Sequence, residues 1–496
     1  MDELTESLMK LHTGALDALD PRISRPGYDR SSLTPGIVHV GLGNFHRAHQ
    51  AVYLDDLFAK GLDHDWAICG AGVRAPDGKM RDALAAQDYL STVIELDPSG
   101  PRPRIIGAMV DFCPVDPENG PLIDRMADPA TRIVSLTVTE GGYYVDATTG
   151  TFDPSHPDIL ADGAAPERPK TVFGAIVAAL KARRTAGLPP FTVMSCDNIP
   201  GNGEVTRDAV AGTARLSDPD FALWIETNVA FPNSMVDRIT PATGEGERAL
   251  ARDFDLDDPV PVTCEPFRQW VLEDNFPQGR PRLEEVGVTF TAHVHDYERM
   301  KIRILNGGHA IIAYAGALLG CEFADDAMAH PLVSAYLRKV ETEEILPHVA
   351  PVPEFAPPAY LELIEGRFAN PAVKDTIRRL CLDGSNRQPK FIVPSIADGL
   401  RKGTPIEGLA LESALWCRYC AGSFEDGTEI APNDPNWESL TALAAQARET
   451  PSVWLTQRAV YGEVQGDARF EESFSKWLHL LWSDGARRSI ETYLNG

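Results

Sequence analysis

The segment Lys301-Ile-Arg-Ile-Leu-Asn306-Gly-Gly-His309 sets a base, an amide and an imidazole within one short stretch. A lysine aimed into a partly dry pocket loses the solvation of its ammonium form, so its pKa falls. It can then act as a general base near neutral pH. The Asn306 amide can donate to an oxygen that gains negative charge, and the His309 ring can hold a neighbouring hydroxyl. These groups suit removal of a proton from an alcohol whose carbon loses hydride. Glu298 lies one helical turn before Lys301. It can pair with the lysine or pass its proton to water; as a plain i, i+3 salt bridge it stabilises only slightly. The structural alternative for the segment is a surface lysine, a helix-capping asparagine and a satisfied core histidine.

Two other segments carry candidate polar groups. Ser195-Cys-Asp197-Asn198-Ile-Pro-Gly-Asn-Gly follows an apolar strand pattern, and ligands bind just past strand ends in open α/β sheets. Asn198 can be a second donor, and two amides converging on one oxygen make an oxyanion hole. A turn built from Asx side chains is the alternative. In Phe231-Pro-Asn-Ser-Met-Val-Asp237-Arg238, Asp237 can orient Lys301 or bind a substrate hydroxyl; the alternative is an Asp–Arg surface pair.

A helix must carry the first segment. Tyr297 to Met300 before it and Ala310 to Ala315 after it read as helical, with Asp296 available as N-cap. On a wheel of about 100° per residue, His309 lies about 80° and Asn306 about 140° from Lys301, so all three can face one cleft. Gly307 and Gly308 each cost roughly 1 kcal/mol against alanine in a helix. That cost makes sense if something approaches the backbone closely there.

Upstream, residues 1–30 read as a helical lead-in and a loop. Ile37-Val-His-Val-Gly41-Leu-Gly43 reads as a strand entering a glycine turn. Further strands are predicted over 66–73, 91–96, 105–112, 132–139 and 191–195, with helices over 48–59, 79–86 and 172–186. Arg132-Ile-Val-Ser-Leu-Thr-Val-Thr139 is a run rich in β-branched residues, as a buried parallel strand is. The alternation predicts an α/β fold with an N-terminal Rossmann-type, doubly wound sheet domain over 1–290. Long helical patterns then predict a mainly α-helical domain over 291–496.

Gly41-Leu-Gly43-Asn-Phe45-His46-Arg47 stands between strand and helix, the context of a dinucleotide turn. It keeps the first two glycines and replaces the third with His46. Phosphates would meet backbone N–H groups at the helix start, with His46 and Arg47 adding positive charge. After the next strand, Asp77 can accept from both adenosine ribose hydroxyls and repel a 2′-phosphate, which favours NAD over NADP. Arg74 is the competing feature, and a helix N-cap is the structural alternative for Asp77. Gly41, Gly43, Phe45, His46, Arg47 and Asp77 are therefore the candidate cofactor residues.

Composition bounds the rest. The chain has 496 residues, 43% hydrophobic and 24% charged, with a formal net charge of −26. Such a surface repels nucleic acid and anionic lipid. No basic-then-apolar leader and no bilayer-length apolar run stands out. The eight cysteines are scattered, as expected for reduced thiols in a cytoplasmic protein. Cys417-x-x-Cys420 lacks further partners for a metal or redox centre, so packing is its expected role. His293 and His295, spaced i, i+2, suggest a strand edge or loop and a structural role. No metal site is expected.

Five stretches carry a family resemblance: His39 to Gln50, Ser135 to Tyr143, Val193 to Pro200, Phe231 to Pro241, and Lys301-x4-Asn306-x2-His309. On these the chain resembles the polyol-specific long-chain dehydrogenases/reductases through nearly its whole length. The resemblance implies a metal-free, NAD-dependent oxidation of a sugar alcohol at C2 to the ketose. D-mannitol to D-fructose is the leading pair, with D-arabinitol and D-sorbitol beside it. It implies that Lys301 is the general base and that Asn198 and Asn306 bind the reacting oxygen. Asp237 and His309 would orient substrate. Two more basic residues that reach the polyol in the family fall on Arg379 and Arg387; the second is often lysine, which brings in Lys390. A monomer or small homo-oligomer is expected. A hexuronate reductase of the fructuronate or tagaturonate type is the alternative within the class. A non-catalytic NAD-sensing protein is the alternative outside it.

Overall fold

The computed structural model describes residues 8–146 and 149–496. The chain divides into two compact units, Met1–His295 and Asp296–Gly496; the sequence reading had set the boundary at 290/291.

Five strands form the main sheet of the first unit: β1 (Pro35–Val40), β2 (Ala67–Ala71), β3 (Met109–Phe112), β4 (Ile133–Leu136) and β5 (Thr192–Ser195). Their spatial order is β3-β2-β1-β4-β5, and every pairing is parallel. The chain begins in the middle and winds outward both ways. The switch point therefore falls between β1 and β4, where ligands bind in such sheets. Side chains alternate between two cores. Ile37, Ile68 and Ile133 pack with Leu57 and Phe58, while Val38, Cys69 and Val134 pack with Phe173 and Leu180 on the other face. Burial on both faces is why these strands read as continuous apolar runs.

Smaller strands flank this sheet. Ser91–Asp97 pairs with Gly100–Ile106 and with Val262–Cys264. Gln269–Leu272 pairs antiparallel with Ser234–Asp237. Three expectations change. The single strand expected over 105–112 is two segments, Gly100–Ile106 and β3. The break comes where Gly107 N–H donates to Asp55 (2.8 Å) and its carbonyl accepts from Arg30 (3.1 Å). The helix expected over 48–59 is interrupted at His49 (φ −123°, ψ −86°), between Asn44–Ala48 and Gln50–Ala59. Of the helical lead-in, residues 1–7 lie outside the described residues. Met9–Lys10 is a strand and only Thr13–Ala18 forms a 3-10 turn.

The second unit is helical. Helix Glu407–Cys420 is buried from Gly408 onward and packs against Ala468–Asn495, which kinks at Gly485. Cys417 and Cys420 lie inside this helix, and burial pushes both thiols up. Among the described residues, no helix is long and apolar enough to cross a membrane.

Candidate active site

In the first unit the dinucleotide turn follows β1. Gly41 has φ +103°, and a Cβ there would overlap the Thr137 carbonyl beyond β4. Only glycine fits. Gly41 N–H donates to Ala71 O (3.1 Å) and Gly43 N–H to Gly41 O (2.8 Å), which tightens the turn. A Cβ at Gly43 would meet no protein atom within 4 Å. This bare backbone, at the start of Asn44–Ala48, fits a pyrophosphate that must come close.

His46 does not supply charge to that site, contrary to expectation. Its ring lies flat on His39, with centroids 3.4 Å apart. Burial takes His39 down to about 3 and, with His39 alongside, holds His46 well below the usual imidazole range. Both rings are neutral at physiological pH. Neither His46 nitrogen has a hydrogen-bond partner. The ring is a flat spacer where the third glycine would allow close helix–sheet packing. His39 is held in turn by Ser135 Oγ (2.7 Å) and Thr137 Oγ1 (2.9 Å).

Arg47 keeps its charge, since burial lowers it only to about 10. Its guanidinium donates to Val260 O and to Asn44 Oδ1 (2.9 Å). With Asn44, Thr240, Thr243 and Arg248 it lines a cavity of about 500 Å³ beside the turn. Phe45 stacks on His49 at 4.8 Å. Asp77 is the first residue of helix Asp77–Ala85, beyond β2. It does not cap that helix. Its carboxylate accepts from Arg74 N–H (3.0 Å) and faces the Arg74 guanidinium (3.3 Å). The competing arginine is thus paired with the acid itself.

Buried hydrogen bonds hold the loop after β5. Asp197 accepts from Val138 N–H, Thr139 N–H and Tyr143 O–H. The Asn202 amide donates to Ser234 O (2.9 Å) and Asp197 O (3.1 Å), and its oxygen accepts from Ser234 N–H (2.9 Å). Asn198 stands exposed between these anchors. Asx side chains therefore do build the turn, but through Asp197 and Asn202. Asp237 ends the Ser234–Asp237 strand and is buried. Arg238 does not lie at the surface; its guanidinium is buried against Glu265 O (2.9 Å) and Glu95 (2.6 Å).

The second unit opens within α-helix Val294–Met300, which continues into a π-helical turn, Lys301–Asn306, and then into α-helix Gly307–Leu318. Asp296 falls in the first turn and not at the N-cap. His295 is helical too, in place of the expected strand edge or loop, and lies 3.8 Å from Glu204. The π turn alters the wheel. Its i→i+5 hydrogen bonds set residue i+5 roughly one turn above residue i. Asn306 is therefore brought nearer the face of Lys301 than the offset of about 140° drawn from an ordinary α-helix would place it. Lys301 is 7% exposed and Glu298 8%. Asn306 Oδ1 is buried without a hydrogen-bond partner. His309 stacks on Phe368 with centroids 4.2 Å apart.

What approaches the two glycines is the protein itself. A Cβ at Gly308 would stand 3.2 Å from the Phe368 ring and 3.3 Å from Glu341 Oε1; at Gly307 it would stand 3.4 Å from Phe391 O. Arg379 is paired through both Nε and a terminal nitrogen with Asp375. Arg387 donates to Leu380 O (3.1 Å) and Arg379 O (3.4 Å), closing off the short helix Ile377–Leu380. Lys390, on the same helix as Arg387, is exposed. Among the described residues, no three His, Cys, Asp or Glu side chains converge as a metal centre requires.

The sequence reading passed over the Asp197 clamp and the buried acids Glu341, Glu344 and Glu412. Glu412 had a signal, a lone carboxyl within the apolar Leu409-Ala-Leu-Glu-Ser-Ala-Leu415.

Two family models match the chain, the mannitol dehydrogenase Rossmann domain over residues 35–285 and the mannitol dehydrogenase C-terminal domain over 293–482. A mannitol 2-dehydrogenase of Cereibacter sphaeroides is 65% identical over 472 residues, spanning 95% of this chain and 99% of that protein. Pseudomonas fluorescens mannitol 2-dehydrogenase, solved as a ternary complex with NAD and D-mannitol, matches with a TM-score of 0.87 at 42% identity over 98% of this chain and 100% of that one. A substrate-free D-sorbitol dehydrogenase matches with a TM-score of 0.88 at 35% identity, over 97% and 100%. Matched in order across both units, the chain belongs to the mannitol dehydrogenase family.

Proposed function

We propose that this protein is an NAD-dependent polyol dehydrogenase that oxidises a sugar alcohol at C2 to the ketose. D-mannitol to D-fructose is the leading pair, and D-arabinitol and D-sorbitol are further substrates. The observation that carries the reading is the π turn bringing Asn306 nearer the face of the buried Lys301, in a chain 65% identical to a mannitol 2-dehydrogenase.

NAD, when bound, supplies the hydride acceptor. Gly41 and Gly43 offer bare backbone to its pyrophosphate, with Phe45, His46 and Arg47 shaping the helix start. Asp77 takes the adenosine ribose. Lys301 receives the C2 hydroxyl proton as a neutral amine. Asn306 and Asn198 donate to the oxygen as it gains charge. Asp237 and His309 hold adjacent hydroxyls, and Glu298 passes the proton on. Arg379 reaches the far end of the polyol. Arg387 sets the backbone beneath it, leaving Lys390 as the exposed cation. No metal takes part.

The test follows absorbance at the NADH band with NAD or NADP and a polyol panel, with and without a chelator. Rapid reduction of NAD by mannitol, indifferent to chelator, is the expected result. Reversible loss with chelator would overturn the metal-free mechanism. Silence on every polyol, with NADH consumed on a keto-uronate, would move the protein to the hexuronate reductases. A uronate needs a cation for its carboxylate, and the pairing of Arg379 with Asp375 favours the polyol.

A further inference from the structure

Beyond β4, Thr139 adopts φ 68° and ψ 163°. That region is nearly reserved for glycine, and a β-branched residue stays there only when its surroundings force it. The force comes from Asp197. Asp197 is 8% exposed, and its carboxylate accepts from Val138 N–H (2.9 Å), Thr139 N–H (2.9 Å) and Tyr143 O–H (2.6 Å). Tyr143 is fully buried, and its oxygen also lies 2.6 Å from Ser195 Oγ. One carboxylate thus ties the exit of β4 to the exit of β5, beside the switch point. Bonds from N–H and O–H groups to a carboxylate are among the stronger hydrogen bonds. Asn198 is the next residue in the chain.

We propose that Asp197 is a positioning residue, holding Thr139 in its strained backbone and setting Asn198 for the reaction. The second half rests on the reading of Asn198 as a donor to the reacting oxygen; the first half does not.

Glycine adopts this backbone without strain, so Thr139→Gly should rescue the loss of Asp197. Turnover, KM and Tm are measured for the wild type, Asp197→Asn, Thr139→Gly, the double variant and Tyr143→Phe. Asp197→Asn should lower kcat on mannitol about tenfold or more while KM for NAD holds, because Gly41, Gly43 and Asp77 follow β1 and β2. Thr139→Gly alone should keep or raise Tm. The double variant should regain about tenfold in kcat over Asp197→Asn, a coupling typical of residues in contact. Tyr143→Phe removes one donor without touching the backbone and should give a smaller loss that the same glycine recovers. Should Asp197→Asn fail to fold, the Tyr143→Phe pair carries the test. Losses that simply add, or a lowered Tm for Thr139→Gly alone, overturn the proposal. A wild type silent on polyols would instead sink the function. Tm still tests the clamp then: a smaller gain from glycine with Asp197→Asn than without supports it, because an unclamped Thr139 has already relaxed, and equal gains overturn it.

Discussion

Lys301 is buried at the start of the π turn, and the proposed chemistry depends on its amine. Lys301→Ala should lower turnover by about 10²–10⁴-fold, the usual contribution of a general base. NADH binding, read by fluorescence titration, should be unchanged, because the cofactor residues belong to other segments. Near-normal turnover would remove the lysine from its role. The same scale explains why residue type alone misjudged His46. An imidazole beside a phosphate turn suggests charge, yet this one stacks on His39 and is held neutral by burial. Arg387 is similar. Its guanidinium caps backbone carbonyls, a use common for basic residues near helix C-termini.

At the scale of elements, the π turn is the decisive feature. One extra residue per turn brings Asn306 nearer the face of Lys301. Deleting Ile302 should let the segment close into an ordinary α-helix in which Lys301 and Asn306 stand four apart and still share a face. We expect far-UV circular dichroism to keep its helical signal and turnover to fall by less than in Lys301→Ala. A loss as deep as that of Lys301→Ala would show that sharing a face is not enough and that the wide turn itself is needed. Arg303 is a poor choice for deletion, because it bonds Ser395 (2.7 Å) and Asp398 (3.0 Å). Both glycines that follow are packing residues. Gly308 admits Phe368 and Glu341 against the helix, and Phe368 is the ring that His309 stacks on.

At the scale of the whole molecule, the buried acids couple stability to pH. Burial pushes Glu412 up to about 8 from its ordinary 4.5. The folded state keeps the proton where the unfolded chain releases it. This contribution is fully present below about pH 4.5 and is lost as pH rises through about 8, at up to ~1.4 kcal/mol per pH unit. Glu412→Gln keeps the shape without a titrating proton. Its Tm advantage over the wild type should be near zero close to pH 4.5 and grow towards pH 8.5. An advantage that does not change with pH would reject the assignment. Gln388, which donates to Glu412, lies on the helix that carries Arg387 and Lys390.

Much of this architecture was legible in the residues. A sheet buried on both faces needs unbroken apolar strands, so β1, β4 and β5 could be read directly. A turn with no room for a Cβ needs glycine, so Gly41 announced itself. The Lys301, Asn306 and His309 spacing and the helical second unit were visible for the same reason, since local sequence encodes dihedral preference and periodicity. Only the tertiary structure decided the rest. The π turn has α-like dihedrals at its ends, and no local pattern selects i→i+5 bonding. The neutrality of His46, the partners of Gly308 and the engagement of Arg387 depend on which distant groups bury or contact them. The Asp197 clamp joins residues more than fifty positions apart in the chain. Such choices follow from long-range packing, and burial decides them by removing water from groups whose type alone leaves several roles open.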